Sequence, residues 1–469
     1  MIRSIRLAAL LLLSAAVVQA RTPAGPAVSI AGADAVQSIT LANGMKVIVW
    51  TDRDIPNVAL YNWVHAGSRN EVRGITGLAH FFEHMMFNGT SRRQPGEFDR
   101  QMEAVGGSNN AFTSDDVTVY QDWIPRTALD VVFDLESDRL ANLAFVQKVV
   151  DSERNVVFSE RRLRVEDSND GYLSEQVQAT AFVAHSYAIP TLGWPSDIRA
   201  WQMGDLQKFF KTYYAPNNCT LVLVGDVSPQ EVFALARKYL EPIPRQEPPP
   251  ALRTVEPEQL GEKRVLIERR AQTPLLQIAY KAPNAADPRM PALNLLQTIL
   301  VGGDASRLHR LLVEKEKLAI SVSGYLQEGF DPGLLWLALA LPEGADPAVV
   351  ERVLDAELDQ VARDGVTADE LNRAKNLTLA GFWRGLATIN GKARLLGEFD
   401  VFHGDYHKLF AAPTDYDEVT LADVKAVAAE VLQKRSRTVG VLLPQDATAR
   451  NAPEQQGESR TGTPAKVGG

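Results

Sequence analysis

The sequence is poorest in cysteine, with a single one, Cys219, among 469 residues. One thiol cannot form an intramolecular disulfide, and a thiolate metal site is not expected from it. Cys219 opens the apolar run to Val224, which is predicted to be a strand with a buried structural thiol. There is no excess of positive charge either: 49 Lys and Arg stand against 58 Asp and Glu, for a net charge of -9. That balance provides no electrostatic footprint for nucleic acid or for an anionic membrane surface. No apolar run is long enough to span a bilayer, and histidines number only seven, so any pair of them at a meaningful spacing carries information.

The apolar stretch Leu7 to Val18 follows Arg3 and Arg6 and leads to the small-residue site Val18-Gln19-Ala20. This pattern predicts a secretory signal over residues 1–20. No cysteine lies near the cleavage site, which argues against a lipid anchor. Export without disulfides fits a bacterial periplasm.

The remainder has ordinary globular composition, 45% hydrophobic and 23% charged, and length for two domains that each bury a core. Five prolines (242, 244, 248, 249 and 250) fall between Glu241 and Pro250, where neither a helix nor a central strand can run. The expected organisation is a first domain over 21–245, a linker over 246–255, a homologous second domain over 256–445 and a polar, disordered tail over 446–469. Each half begins alike. Strand-like runs at Met45 to Trp50 and Val58 to Val64 precede a helical segment from Gly77 to Phe87, and runs at Val265 to Glu268 and Leu275 to Tyr280 precede another from Pro291 to Val301. Laying Gly77 to Arg92 on Ala292 to Arg307 superposes Leu78 on Leu293 and Ser91-Arg92 on Ser306-Arg307, which points to an internal repeat. Strands alternating with helices give an α/β or α+β class.

The chemistry concentrates in Gly77-Leu78-Ala79-His80-Phe81-Phe82-Glu83-His84-Met85-Met86-Phe87. In a helix, residues four apart share a face, so His80 and His84 project side by side with Glu83 beside them. Two neutral imidazoles at that spacing can reach one zinc ion, and Glu83 can take a proton from a water the metal activates. The order His-x-x-Glu-His is the inverted zinc-peptidase motif. Phe81, Phe82, Met85, Met86 and Phe87 predict that the helix is buried, and two imidazoles with a carboxylate in a core call for a partner such as a metal. His403 and His407 repeat the spacing, but Gly404 weakens a helix there and no glutamate stands in the base position. They are read as structural, as are His65, His185 and His309.

A catalytic zinc takes three protein ligands and keeps one open position. A second segment, Val149 to Arg162, has helical periodicity, with Val149, Val156 and Val157 as its expected buried stripe. Glu153 and Glu160 lie seven apart on one face. Either could ligate the metal while the other orients a ligand; spacing does not choose between them.

The segment His80 to His84, the pair Glu153 and Glu160, the stretch Gly106-Gly107-Ser108-Asn109-Asn110-Ala111-Phe112-Thr113 and Gly193-Trp194 resemble the insulinase/pitrilysin family, which includes the mitochondrial processing peptidases. The resemblance covers nearly the whole chain up to about Leu443. It implies an α+β fold of two homologous domains, each a mixed β-sheet packed with helices in a clamshell arrangement. It also implies one zinc ion per chain with Glu160 as the third ligand and Glu153 supporting. Asn110, Ala111 and Phe112 would lie on an edge strand that pairs with substrate backbone. Read without the family, Asn109-Asn110 is a turn before a strand from Val117 to Tyr120. Zinc is preferred over manganese or cobalt from the ligand types and the family.

Under the repeat, His80, Glu83 and His84 fall opposite Leu295, Thr298 and Ile299, so the second half holds no metal. Active family members commonly carry an Arg and a Tyr, seven residues apart in the second half, that bind substrate and the developing oxyanion. Here Val313 and Ile320 occupy those places. Oxyanion donors are worth orders of magnitude in rate, so the expected partner, besides a peptide substrate, is a related subunit that supplies the Arg and Tyr; a homodimer is the alternative. The expected activity is a zinc endopeptidase with Glu83 as general base. Its rivals are a non-catalytic peptide-binding subunit, which would show a broken metal motif, and a metallohydrolase acting on a non-peptide bond.

Overall fold

A computed structural model describes residue 30 and residues 32–445. The expected signal segment and tail lie outside the described residues. Two sheets carry the fold. The first contains β1 (Val36–Thr40), β2 (Lys46–Thr51), β3 (Asn57–Val64), β4 (Ser108–Thr113), β5 (Thr118–Pro125) and β6 (Cys219–Gly225), in the order β1-β2-β6-β3-β5-β4. The second contains β7 (Lys263–Arg269), β8 (Leu275–Lys281), β9 (Ser321–Leu326), β10 (Leu334–Ala340) and β11 (Arg437–Pro444), in the order β7-β11-β8-β10-β9. Both are mixed: β2 pairs parallel with β6, as β7 does with β11, and every other pairing is antiparallel. Without β1 the first sheet has the strand order and senses of the second, so the internal repeat extends to topology. β1 had no counterpart among the strands read from the sequence.

Five helices matter for the site: α1 (Leu78–Met85), α2 (Gln147–Arg161), α3 (Asn169–Ala181), α4 (Met290–Val301) and α5 (Ile389–His403). The central strands are buried along their length because both faces of each sheet are covered. On one face of the first sheet Val47, Val49, Leu60, Leu221 and Leu223 pack with Leu78, Phe81 and Phe82 of α1. On the other, Ile48, Trp50, Ala59, Trp63 and Val222 pack with Ile389, Ala393 and Leu396 of α5, a helix from the second half. The exchange is mutual. Leu276 and Ile278 of the second sheet meet Leu293 and Leu296 of α4 on one face, while Ala279, Trp336 and Leu442 meet Leu173 and Val177 of α3, a helix from the first half. The interval 246–255 therefore separates the strands of the halves but not their helices.

Each crossing is tight at a glycine. A Cβ on Gly397 of α5 would lie 2.1 Å from Trp63, and one on Gly440 of β11 would lie 2.2 Å from Val177 of α3. A loop joins the halves as well: Gln327 bonds Asp115, the Phe330 amide donates to Asp116 and the Asp331 amide donates to the Tyr187 hydroxyl.

The second segment forms α2 as expected, with a different buried face. Val150 and Val157 are buried, Val149 is partly covered and Val156 is exposed. The apolar positions 149, 150, 156 and 157 allowed two registers, and packing against the first core selected the pair 150 and 157 over the pair 149 and 156.

Candidate metal centre

Helix α1 begins at a glycine with a structural reason. Gly77 has φ 87° and Gly193 has φ 74°, and a Cβ on Gly193 would fall 2.5 Å from the Gly77 Cα. Two left-handed glycines thus let the strand-to-helix loop touch the 190s loop, where any side chain would collide. The helix N-terminus is closed by Glu71, whose carboxylate accepts from the amides of Gly77 at 2.6 Å and Ala79 at 2.7 Å. Burial pushes Glu71 up to about 8, against those amide bonds. Asp197 accepts from the Gly74 amide and the Thr76 hydroxyl, and the Trp201 indole donates to the Thr76 carbonyl.

On this fixed helix the His80 and His84 rings stand 4.7 Å apart between centroids. Glu160, on α2, places one oxygen between them: its Oε2 is 3.3 Å from His80 Nε2 and 3.2 Å from His84 Nε2. Its other oxygen, Oε1, pairs with Arg164 at 2.9 Å. Glu153 meets the opposite nitrogen of His84, with Nδ1 2.7 Å from Oε1, and Asn88 donates to both Glu153 and the His84 carbonyl. Glu83 projects beside the pair and accepts a 2.6 Å hydrogen bond from the Thr113 hydroxyl of β4.

Electrostatics follow the geometry. Hydrogen bonds from His80 and His84 outweigh burial and hold Glu160 well below the usual carboxylate range. Burial opposes charge on His84, but Glu153 and Glu160 override it and hold the imidazole up at about 9. A divalent cation fits this arrangement. Among the described residues His80, His84 and Glu160 offer donor atoms that all lie within 4.8 Å of one another. Ligand atoms about 2.0–2.1 Å from a tetrahedral zinc are separated by about 3.4 Å, close to the two nitrogen-to-oxygen distances found here. The Glu153 contact fixes the outer nitrogen of His84 as a donor, leaving Nε2 free to ligate.

Of the residues expected from the sequence, the structure brings His80, His84, Glu153 and Glu160 together and holds Glu83, on the same helix as the histidines, against Thr113. It places Asn110, Ala111 and Phe112 on β4, the open edge of the first sheet. His403 and His407 stand apart from this cluster, with Asp405 accepting from the His407 amide. In the second half Leu295 and Ile299 are fully buried in an apolar core. Glu71, Asn88, Thr113 and Arg164 were not identified from sequence. Asn88 and Arg164 each lie four residues after a site residue, the spacing that marks helical neighbours; Thr113 and Glu71 act through contacts with no sequence periodicity.

A family model described as "Insulinase (Peptidase family M16)" matches residues 46–194, and one described as "Peptidase M16 inactive domain" matches residues 200–378. The zinc protease PqqE of Helicobacter pylori is 29% identical over 87% of this chain and 93% of its own length. An uncharacterized zinc protease of Mycobacterium bovis is 30% identical over 93% of this chain and 98% of its own. The crystal structure of a protease from Helicobacter pylori superposes with a TM-score of 0.84 at 28% identity, covering 87% of this chain and 99% of that one. With two consecutive stretches of the chain matched by these models, and a 30%-identical relative covered over 98% of its length, the chain belongs to the insulinase family, peptidase family M16.

Proposed function

We propose that the chain is a zinc-dependent endopeptidase that hydrolyses peptides or unfolded polypeptides, exported to the periplasm and paired with a related subunit. The observation that carries this reading is one carboxylate oxygen of Glu160 within 3.3 Å of both imidazoles, beside a glutamate tied to the sheet edge. His80, His84 and Glu160 would hold the zinc, with Glu153 orienting His84. Zinc bound there supplies Lewis acidity, polarising the peptide carbonyl and lowering the pKa of a water. Glu83 receives the proton of that water and returns it to the leaving amine. The edge strand β4, through Asn110, Ala111 and Phe112, offers unpaired backbone groups to an extended peptide, which aligns the scissile bond beside Glu83.

The partner follows from what the second half lacks. Val313 lies in the short, wide helix His309–Lys315, and Ile320 is exposed just before β9. Neither side chain can donate to an oxyanion, so a subunit bearing an Arg and a Tyr there would complete the site. Export rests on the charge and apolar pattern of residues 1–20. None of the described helices is long and apolar enough to cross a membrane.

Elemental analysis of the purified protein, joined to a peptide-cleavage assay with and without chelator, tests the reading. One zinc per chain and chelator-sensitive cleavage are expected; cleavage that survives metal removal would overturn it. Adding the related subunit should raise the rate strongly, and full activity of the chain alone would remove the partner from the account.

A further inference from the structure

Helix α2 runs out through a wide turn, Arg162–Glu166, and doubles back into α3. The corner is tight: Ser168 caps α3 by accepting from the Gly171 amide, and a Cβ on Gly171 would lie 2.0 Å from the Arg164 carbonyl oxygen. Inside the corner a fork closes the two helices onto each other. Arg161, the residue after Glu160, donates from Nη1 and Nη2 to the two oxygens of Glu175 on α3, each at 2.8 Å. Both residues are buried, at 3% and 8% exposure. A bidentate guanidinium–carboxylate pair fixes direction as well as distance, because both groups are planar.

Helix α3 takes its own position from the other half of the chain. Leu173 and Val177 pack on Ala279, Trp336 and Leu442 of the second sheet. Gln277 of β8 bonds Ser174 at 2.9 Å and Asp170 at 2.9 Å. Asn169 donates to the Arg270 carbonyl, and Arg269 donates to the Glu166 carbonyl and lies over the Tyr172 ring. The chain of contacts therefore runs from the second sheet to α3, through Glu175 and Arg161, to the last turn of α2, where Glu160 stands with one oxygen on Arg164 and the other between the histidines.

We propose that Arg161 and Glu175 are positioning residues through which the metal-free half of the chain sets the metal affinity of the first half. The inference rests on the metal-site reading above. Without the fork, α2 keeps its buried face through Val150 and Val157 but loses the restraint on the turn that carries Glu160. His80 and His84 sit on α1, which is held through Glu71 and the glycine contact, and Glu153, which bonds His84, lies two turns before the fork, so the third ligand is the one that loosens. Partners that orient a ligand typically contribute about 10- to 100-fold to metal affinity.

The test measures zinc affinity of the full chain by competition with a chromophoric chelator. Two variants probe opposite ends of the relay. Arg161→Met with Glu175→Leu replaces the buried pair by apolar side chains of similar size, an exchange that commonly leaves stability intact. Gln277→Leu loosens α3 from the second sheet without touching the fork. Zinc affinity is expected to fall about tenfold or more in the double variant, and in the same direction for Gln277→Leu, while far-UV circular dichroism and the unfolding temperature of the metal-free chain stay close to wild type. Wild-type zinc affinity in either folded variant overturns the proposal. Glu160→Gln is the control: if it binds zinc as tightly as wild type, the metal-site reading fails, a result distinct from failure of the relay.

Discussion

Thr113 donates its hydroxyl to the carboxylate of Glu83 at 2.6 Å, which ties the open edge strand of the first sheet to the residue proposed as the general base. Glu83→Gln should retain zinc and lose turnover by about 10²–10⁴-fold, the usual worth of a general base. Thr113→Val should keep zinc and lower kcat by about tenfold, matching the ~1.5 kcal/mol of one hydrogen bond to a charged group. Metal content and steady-state cleavage of one peptide check both, and wild-type turnover of Glu83→Gln would remove that residue from the mechanism.

Glu160 and Glu153 should separate cleanly. Glu160 touches both inner imidazole nitrogens and Glu153 only the outer nitrogen of His84. Glu160→Gln is expected to abolish stoichiometric zinc at micromolar protein, whereas Glu153→Gln should weaken binding about 10- to 100-fold. Isothermal titration of the metal-free variants with zinc decides; equal losses would mean the two carboxylates share one role.

The pH dependence of metal binding has a fixed sign. Glu153 and Glu160 outweigh burial and hold His84 at about 9, so at neutral pH the metal-free imidazole carries a proton that zinc must displace. Apparent zinc affinity should rise roughly tenfold per pH unit between pH 6 and 8, with proton release on binding. Calorimetry in two buffers of different ionisation enthalpy reads that proton, and pH-independent affinity across the range would contradict the assignment.

Replacing a glycine inside a helix by alanine ordinarily stabilises by about 1 kcal/mol. Gly397→Ala should do the reverse, because its Cβ would meet the Trp63 indole at 2.1 Å where α5 crosses the first sheet. A loss of about 1–3 kcal/mol is expected from overpacking, measured by urea unfolding. Increased stability would show that this crossing can open without cost.

Local spacing made part of the site legible. His80, Glu83 and His84 sit within one turn and a residue of each other, so helical geometry alone puts them on one face. The central strands were legible, since the β-branched run at Val47 to Val49 and the valine-rich run at Val222 to Val224 announce buried strands. The choice between Glu153 and Glu160 needed the family resemblance, because both occupy one face of α2. It is the depth and angle at which Val150 and Val157 seat that helix that bring Glu160 between the rings.

Periodicity in the residues alone made legible the helices α1, α2 and α4, the strands β2, β3 and β5 to β8, the repeat and the paired imidazoles. Tertiary structure decided which sheet each helix covers. An amphipathic stripe records that a face must be buried but not against what, and so the exchange of α3 and α5 between the halves left no mark in the order of residues. The contacts that set Glu160, from the Arg161–Glu175 fork to Gln277 of the second sheet, exist only because that exchange brings distant segments to one corner.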